Sequence, residues 1–344
     1  MKRIYRYITQ FALALGLLGS LSACRKDEAG TPSDGRYRMG YMASDVVSKA
    51  GYTTENIATD GNSFKVYAYY TTDAENKYDA ADNTFQSFTE TVTYDEDAVT
   101  ETGNKWISAG EHFWESGAYY KFRAYFPGDF PATITDAAAS TPSFRQYTIE
   151  PQPKDQVDIL LAEATRAYDE IFTLGTTVPF TFKHLLSKVY LKVRMSNELV
   201  AQNFETDILA AAFRNVTRTA GYSGSGWGDH TGTTDVGMNF TPIKVLTPGD
   251  NLVNLFDDGI LVIPQQTTAG VVAAYIHAVL PIGTSGNTIE RPIEIILPGT
   301  SPAWEPGKQY TYTATITADY DITFSAPEVA DWETGSTSGT VVIK

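Results

Sequence analysis

The residue with the clearest chemistry is Cys24, the one thiol among 344 residues. It closes the tetrapeptide Leu21-Ser22-Ala23-Cys24, with Lys2, Arg3 and Arg6 near the start and an apolar run from Phe11 to Leu21 between. That run is too short to cross a ~30 Å hydrocarbon core as a helix, and a basic start, apolar middle and small-residue close form a secretion signal rather than a membrane span. A small residue before the cysteine is what lipoprotein signal peptidase requires: the thiol is diacylated, the chain is cut before it, and the new amino group is acylated. The expectation is that residues 1–23 are removed and that Cys24 carries several acyl chains, a firmer hold than the marginal single chain. Acylation consumes the thiol, which excludes a disulfide framework, a thiol nucleophile and a cysteine-ligated metal.

The remaining side chains offer little further chemistry. His112, His184, His230 and His277 are scattered and form no metal-spaced pair. His277 reads as a strand residue inside Val271 to Leu280, and His184 as a packing or hydrogen-bonding residue within Phe180 to Val189. Asp229, His230 and Asp235, and the run Asp95-Glu96-Asp97, lack a calcium-loop pattern and read as solvated carboxylates. Gly221, Gly224, Gly226 and Gly228 miss the phosphate-cradling spacing, so Gly221 to Gly237 is predicted to be a long flexible loop with Trp227 tucked onto its own domain. No two of the 41 acids stand out as a glycosidase pair. No cofactor is expected, no metal, and no catalytic residue.

The elements that carry these residues are predicted to be strands. The net charge of −15 argues against nucleic acid or an anionic membrane surface as partner, since both need basic patches to release counterions. Residues 24–36 are polar and read as a flexible tether. Short strands are predicted at Tyr37 to Met42, Phe64 to Tyr70, Phe88 to Tyr94, Lys105 to Ser108, Tyr119 to Phe126, Gln146 to Ile149 and Val157 to Ala162. In the second of these, Phe64, Val66 and Ala68 share one face and Tyr67 and Tyr69 the other. A second series runs through Val178 to Phe182, Lys188 to Met195, Ile243 to Leu246, Gly259 to Ile263, Val271 to Leu280, Ile289 to Leu297, Gln309 to Thr317 and Thr340 to Ile343. A short helical pattern is confined to Val200 to Ala212. The polar stretch Thr165 to Thr176 separates the two series, which predicts an all-β chain of two tandem antiparallel β-sandwiches, 37–170 and 171–344.

Several segments in order resemble the fimbrillin family, the lipoprotein pilus subunits and surface adhesins of the Bacteroidetes. They are Val92-Thr93-Tyr94, Trp106, Phe113-Trp114, Tyr120 with Phe122 and Ala124-Tyr125-Phe126-Pro127, Val157 to Ala162, Phe180 to Val189, Val262-Ile263-Pro264-Gln265-Gln266, Trp304 to Tyr312, and Val329 with Trp332. The resemblance implies transthyretin-like sandwiches and assembly by strand exchange. In that family a trypsin-like protease cuts after the first strand, and a segment of a neighbouring subunit fills the groove left behind. The matching cut is at Lys49, before Ala50, where the family usually has arginine; Arg36 and Arg38 are alternatives. The carboxyl-terminal run Thr340-Val341-Val342-Ile343 is the candidate donor strand, and closing an edge of its own sandwich is the competing reading. Lys26-Asp27-Glu28 resembles the lysine-plus-acids signal that sends lipoproteins of this phylum to the outer face of the outer membrane.

The expected partners are other fimbrial subunits, the membrane through the lipid, and a host protein or glycan; the expected location is the cell surface, or a fimbrium after processing. The competing function is a monomeric outer-membrane glycan-binding lipoprotein. That reading needs a platform of exposed tryptophans drawn from Trp106, Trp114, Trp227, Trp304 and Trp332.

Overall fold

A computed structural model describes residues 35–47, 57–75, 77–78, 85–100, 103–136, 141–224, 226–267, 272–282, 287–297, 302–319 and 322–332. Cys24, Lys26, Asp27, Glu28, Lys49 and Thr340 to Ile343 lie outside these residues.

The chain is all-β, as the alternating patterns predict. The first sheet has seven strands: β1 (Gly40–Val47), β2 (Ser63–Thr71), β3 (Gln86–Tyr94), β4 (Trp106–Ser108), β5 (Tyr119–Phe126), β8 (Leu160–Ala167) and β9 (Thr177–His184). Their order is β1-β9-β8-β5-β2-β3-β4. Phe64, Val66 and Ala68 of β2 point to one side and are fully buried with Val92, Phe122, Ala124, Phe180 and Phe182, as the period of two requires.

Two further sheets face each other across a second core. One contains β10 (Ser187–Met195), β13 (Leu252–Asn254), β14 (Ile260–Val262), β17 (Lys308–Ile316), β18 (Ile322–Phe324) and β19 (Glu328–Asp331). The other contains β6 (Thr133–Ile134), β7 (Ser143–Thr148), β11 (Thr206–Ser223), β12 (Gly226–Leu246), β15 (Ala273–Ile282) and β16 (Asn287–Ile296). Val189, Leu191 and Val193 from one side meet Phe213, Ile276 and Ala278 from the other.

Three features differ from the sequence expectation. The segment read as a flexible loop, Gly221 to Gly237, lies within the long β11–β12 hairpin. Its composition imitates a loop, yet β-branched Thr217, Thr219, Thr231 and Thr233 pair across the strands. Gly237 sits where a Cβ would come 2.2 Å from the Ala211 carbonyl oxygen, so this glycine marks a close strand approach. The helical pattern near Val200 is only α2 (Asn197–Ala201), capped by the Ser196 hydroxyl, after which β11 begins. The pairing is not purely antiparallel: β1 runs parallel to β9 and β10 parallel to β17, each pair joined by a long stretch of chain.

The two cores do not divide the sequence at residue 170. β9 belongs to the first sheet, whereas β6 and β7 leave it and join the third. The return is fixed by a buried ion pair. Arg123 on β5, fully buried, lies 3.3 Å from the Asp136 carboxylate, and the other Asp136 oxygen accepts hydrogen bonds from the Tyr125 hydroxyl and the Ser143 amide. A buried charge is tolerated only when paired in this way, so the cluster holds the β6–β7 excursion against β5.

Candidate assembly groove

β1 occupies a slot rather than an ordinary sheet edge. On one flank it pairs with β9, from Gly40 opposite Thr177 to Val47 opposite Lys183. On the other side the residues leading into β1 are held: the Met39 amide donates to the His112 carbonyl and the Trp114 amide donates to the Tyr37 carbonyl, both at 2.8 Å. The Asn104 side-chain amide donates to the Tyr41 carbonyl at 3.0 Å. The stretch after β4 therefore closes the curled first sheet onto its first strand, and β1 is the strand that completes the closure.

Inside the slot, Met39 and Tyr41 are buried. The Tyr41 ring packs 6.1 Å from Phe122 and 6.3 Å from Phe180, centroid to centroid. Burial, followed by the nearby Glu90 carboxylate, pushes the Tyr41 hydroxyl well above its ordinary value of 10.0, so it stays neutral.

The far wall of the slot is held by Glu90. This buried carboxylate on β3 accepts hydrogen bonds from the Thr91, Ala109 and Gly110 amides and lies 3.3 Å from His112 Nε2. Three backbone donors on one carboxylate pin the turn that leads to residues 112–114, where β1 is received. Neither Glu90 nor Asn104 carries a local sequence signal for this role, because Ala109 and Gly110 lie about twenty residues from Glu90, and Tyr41 lies 63 from Asn104.

Arg36 and Arg38, the alternative processing positions, lie in the segment entering the slot. The Arg36 guanidinium sits 4.2 Å above the Phe113 ring. Arg38 forms a bridge with Phe113, donates to the Gly110 carbonyl and lies 3.4 Å from Glu111.

The histidines behave as packing and pairing residues. His184 Nδ1 lies 2.6 Å from the Asp158 carboxylate, and its ring stacks on Trp332 with centroids 3.8 Å apart. Lys188 points to the same Trp332 ring at 5.3 Å, and desolvation lowers its ammonium to about 8. His277 pairs with Glu290 across β15 and β16, and His230 with the Thr217 hydroxyl. Among the described residues, no group of three histidine, aspartate or glutamate side chains is arranged to hold a metal ion.

The tryptophans do not form an exposed platform. Trp106, Trp114, Trp304 and Trp332 are buried, and half-buried Trp227 donates to the Leu185 carbonyl at 2.7 Å while packing on Phe144, Tyr147 and Tyr222.

A closed first sheet with its first strand in a slot, joined to a second β core, defines an all-β structural module. Residues 49–332 match the Fimbrillin-like family profile, and the chain belongs to that family. Its fold is shared with a fimbrial protein from Bacteroides vulgatus, at a TM-score of 0.62 and 18% identity, covering 86% of this chain and 99% of the other. It is shared too with a candidate cell adhesion protein from Bacteroides uniformis, at a TM-score of 0.50 and 18% identity, covering 88% and 99%. No curated protein matches the sequence at a significant level.

Proposed function

We propose that the chain is a lipid-anchored, surface-exposed fimbrial subunit or fimbria-associated adhesin, a structural rather than catalytic protein, which assembles by strand exchange after its first strand is cut away. The observation that carries this reading is the slot: β1 is the first strand among the described residues, and it and the residues leading into it are held by distant segments. A cut at Lys49, two residues beyond Val47, would sever β1 from everything that receives it. Loss of β1 leaves the β9 backbone donors and acceptors unpaired and uncovers Phe122 and Phe180, and a strand from a second copy satisfies both demands at once.

The donor in this reading is Thr340 to Ile343, and the two cores act as two tandem sandwich units that interlock through β6, β7 and β9. The anchor is acylated Cys24, surface delivery is signalled by Lys26, Asp27 and Glu28, and the ligand at the surface is a host protein or glycan. The names of the Bacteroides vulgatus and Bacteroides uniformis relatives support a fimbrial or adhesive role at the cell surface.

The test is to cut the purified protein at Lys49, with and without residues 338–344, and to measure its mass by light scattering. Multimers that need the last seven residues support the reading. Multimers that form equally well without them exclude this donor, and cut protein that releases its first strand and stays monomeric counts against strand exchange.

A further inference from the structure

One pole of the first sheet carries an apolar surface that the assembly reading leaves unused. The strand directions bring together the start of β1, β5 and β9 with the end of β2 and β8. At this pole α1 (Ile171–Leu174), a single turn between β8 and β9, buries Ile171 in the first core and turns two large apolar side chains outward. Phe172 is 60% and Leu174 is 62% exposed. Tyr37 packs edge-on to Phe172 at 5.4 Å, and Tyr168 lies 5.7 Å from the same ring. The amphipathic tyrosines thus border the two exposed side chains, an arrangement suited to a boundary between lipid and water.

The described residues begin here, at Gly35, two residues before Tyr37. From Cys24 to Gly35 there are 11 steps of chain, 35 less 24. Even fully extended they span at most about 40 Å. A chain anchored at Cys24 is therefore confined near the lipid surface with this pole closest to its anchor. A second copy is a poor occupant: an aromatic such as Phe172 buries roughly 150–250 Å² at most and Leu174 adds a smaller side chain, against about 800 Å² per partner in a stable interface. Weak apolar contact is sufficient for a membrane already joined covalently to the chain, because the anchor fixes a high local concentration of lipid.

We infer that this pole is the membrane-facing surface of the anchored subunit, with Phe172 and Leu174 entering the interfacial layer of the leaflet that holds Cys24. The inference rests on the acylation of Cys24. It orients the uncut subunit, which still carries Cys24 and Tyr37, with the first core against the lipid and the second core outward.

The acylated chain has no free thiol, so Thr173→Cys supplies a single labelling position between the two apolar residues, and Val99→Cys, at a 98% exposed position beyond β3, supplies a distant control. Each protein is labelled with an environment-sensitive fluorophore, reconstituted in zwitterionic phosphatidylethanolamine–phosphatidylcholine vesicles containing doxyl-labelled lipid, and isolated by flotation. Quenching at 173 is expected to exceed that at 99 by about threefold or more, and to fall to the control level when Phe172→Ser and Leu174→Ser are added, with flotation unchanged. Equal quenching at both positions in floating protein overturns the inference and leaves the anchor standing. Protein that does not float overturns both. A 173 label shielded without lipid, together with a doubled mass in light scattering, assigns the pole to a second copy and overturns lipid docking.

Discussion

Tyr41 stacks on Phe180 with the ring planes 17° apart, across a parallel pairing of the first strand of the fold with a strand far along the chain. Nothing local in β1 sustains this contact. Its backbone is held by β9, the residues just ahead of it by residues 112–114, and its side chains by a core that the rest of the sheet already encloses. Burial of the strand is thus wholly a matter of tertiary packing, the condition under which a strand can be exchanged for a similar one.

Tyr41→Ala removes the ring that fills the slot between Phe122 and Phe180. Truncating a buried aromatic costs about 3–5 kcal/mol. Because Tyr41 lies on the removable strand, the loss is expected first as faster amide exchange along 40–47 and faster proteolysis after Lys49, ahead of global unfolding in urea. Exchange at β1 that slows or stays unchanged would contradict its placement in the core.

Glu90→Ala removes the carboxylate that the Thr91, Ala109 and Gly110 amides share, and of these Ala109 keeps a second acceptor in the Thr91 carbonyl. An unsatisfied buried group costs about 1–3 kcal/mol. A urea midpoint shifted downward, with β1 loosened as in Tyr41→Ala, is the expected outcome; Glu90→Gln, which keeps an acceptor oxygen, is expected to recover part of the loss.

Lys188 gives a pH signature. Desolvation lowers its folded value from 10.5 to about 8, so between about 8 and 10.5 the unfolded chain binds more protons than the folded one, and stability rises with pH across that window. The cost of the buried ammonium is fully present below about 8 and relieved above 10.5. Relative to wild type, Lys188→Met is expected to look more stabilising at pH 7 than at pH 10.5, by roughly 3 kcal/mol at most. Urea titrations of both proteins across this range check the sign, which reverses if the lysine is held by its acidic neighbours instead.

Cys24→Ala is expected to abolish labelling by a fatty-acid probe and leave precursor behind, and replacing Lys26, Asp27 and Glu28 by alanine to hide the acylated protein from protease added to intact cells. Undiminished labelling of the first variant removes the anchor, and equal degradation of the second and the parent protein places the export signal elsewhere.

β2 was legible from sequence because Phe64, Val66 and Ala68 alternate onto a buried face, and Tyr119 to Phe126, whose predicted bounds match β5, was legible as a short aromatic-rich run although Phe122 to Phe126 are buried on both faces. The β11–β12 hairpin was not, since glycine and threonine signal a loop until a partner strand satisfies their backbone. The slot was the least legible part. Tyr37 to Met42 reads as a strand, but a parallel partner such as β9 leaves no hairpin signal, and Glu90 and Asn104 look like ordinary polar residues until the sheet closes. His184 was readable as a packing residue within its segment, whereas its contacts with Asp158 and Trp332 come from remote parts of the chain.

The most direct measurement is the mass, by light scattering, of a chain beginning at Ala50, with and without a synthetic peptide of residues 36–48. Multimers without the peptide, and return to monomer mass when the peptide fills the slot, are the predicted result. A chain that is monomeric without β1, or multimers indifferent to the peptide, would contradict the claim that the β1 slot is the site of assembly.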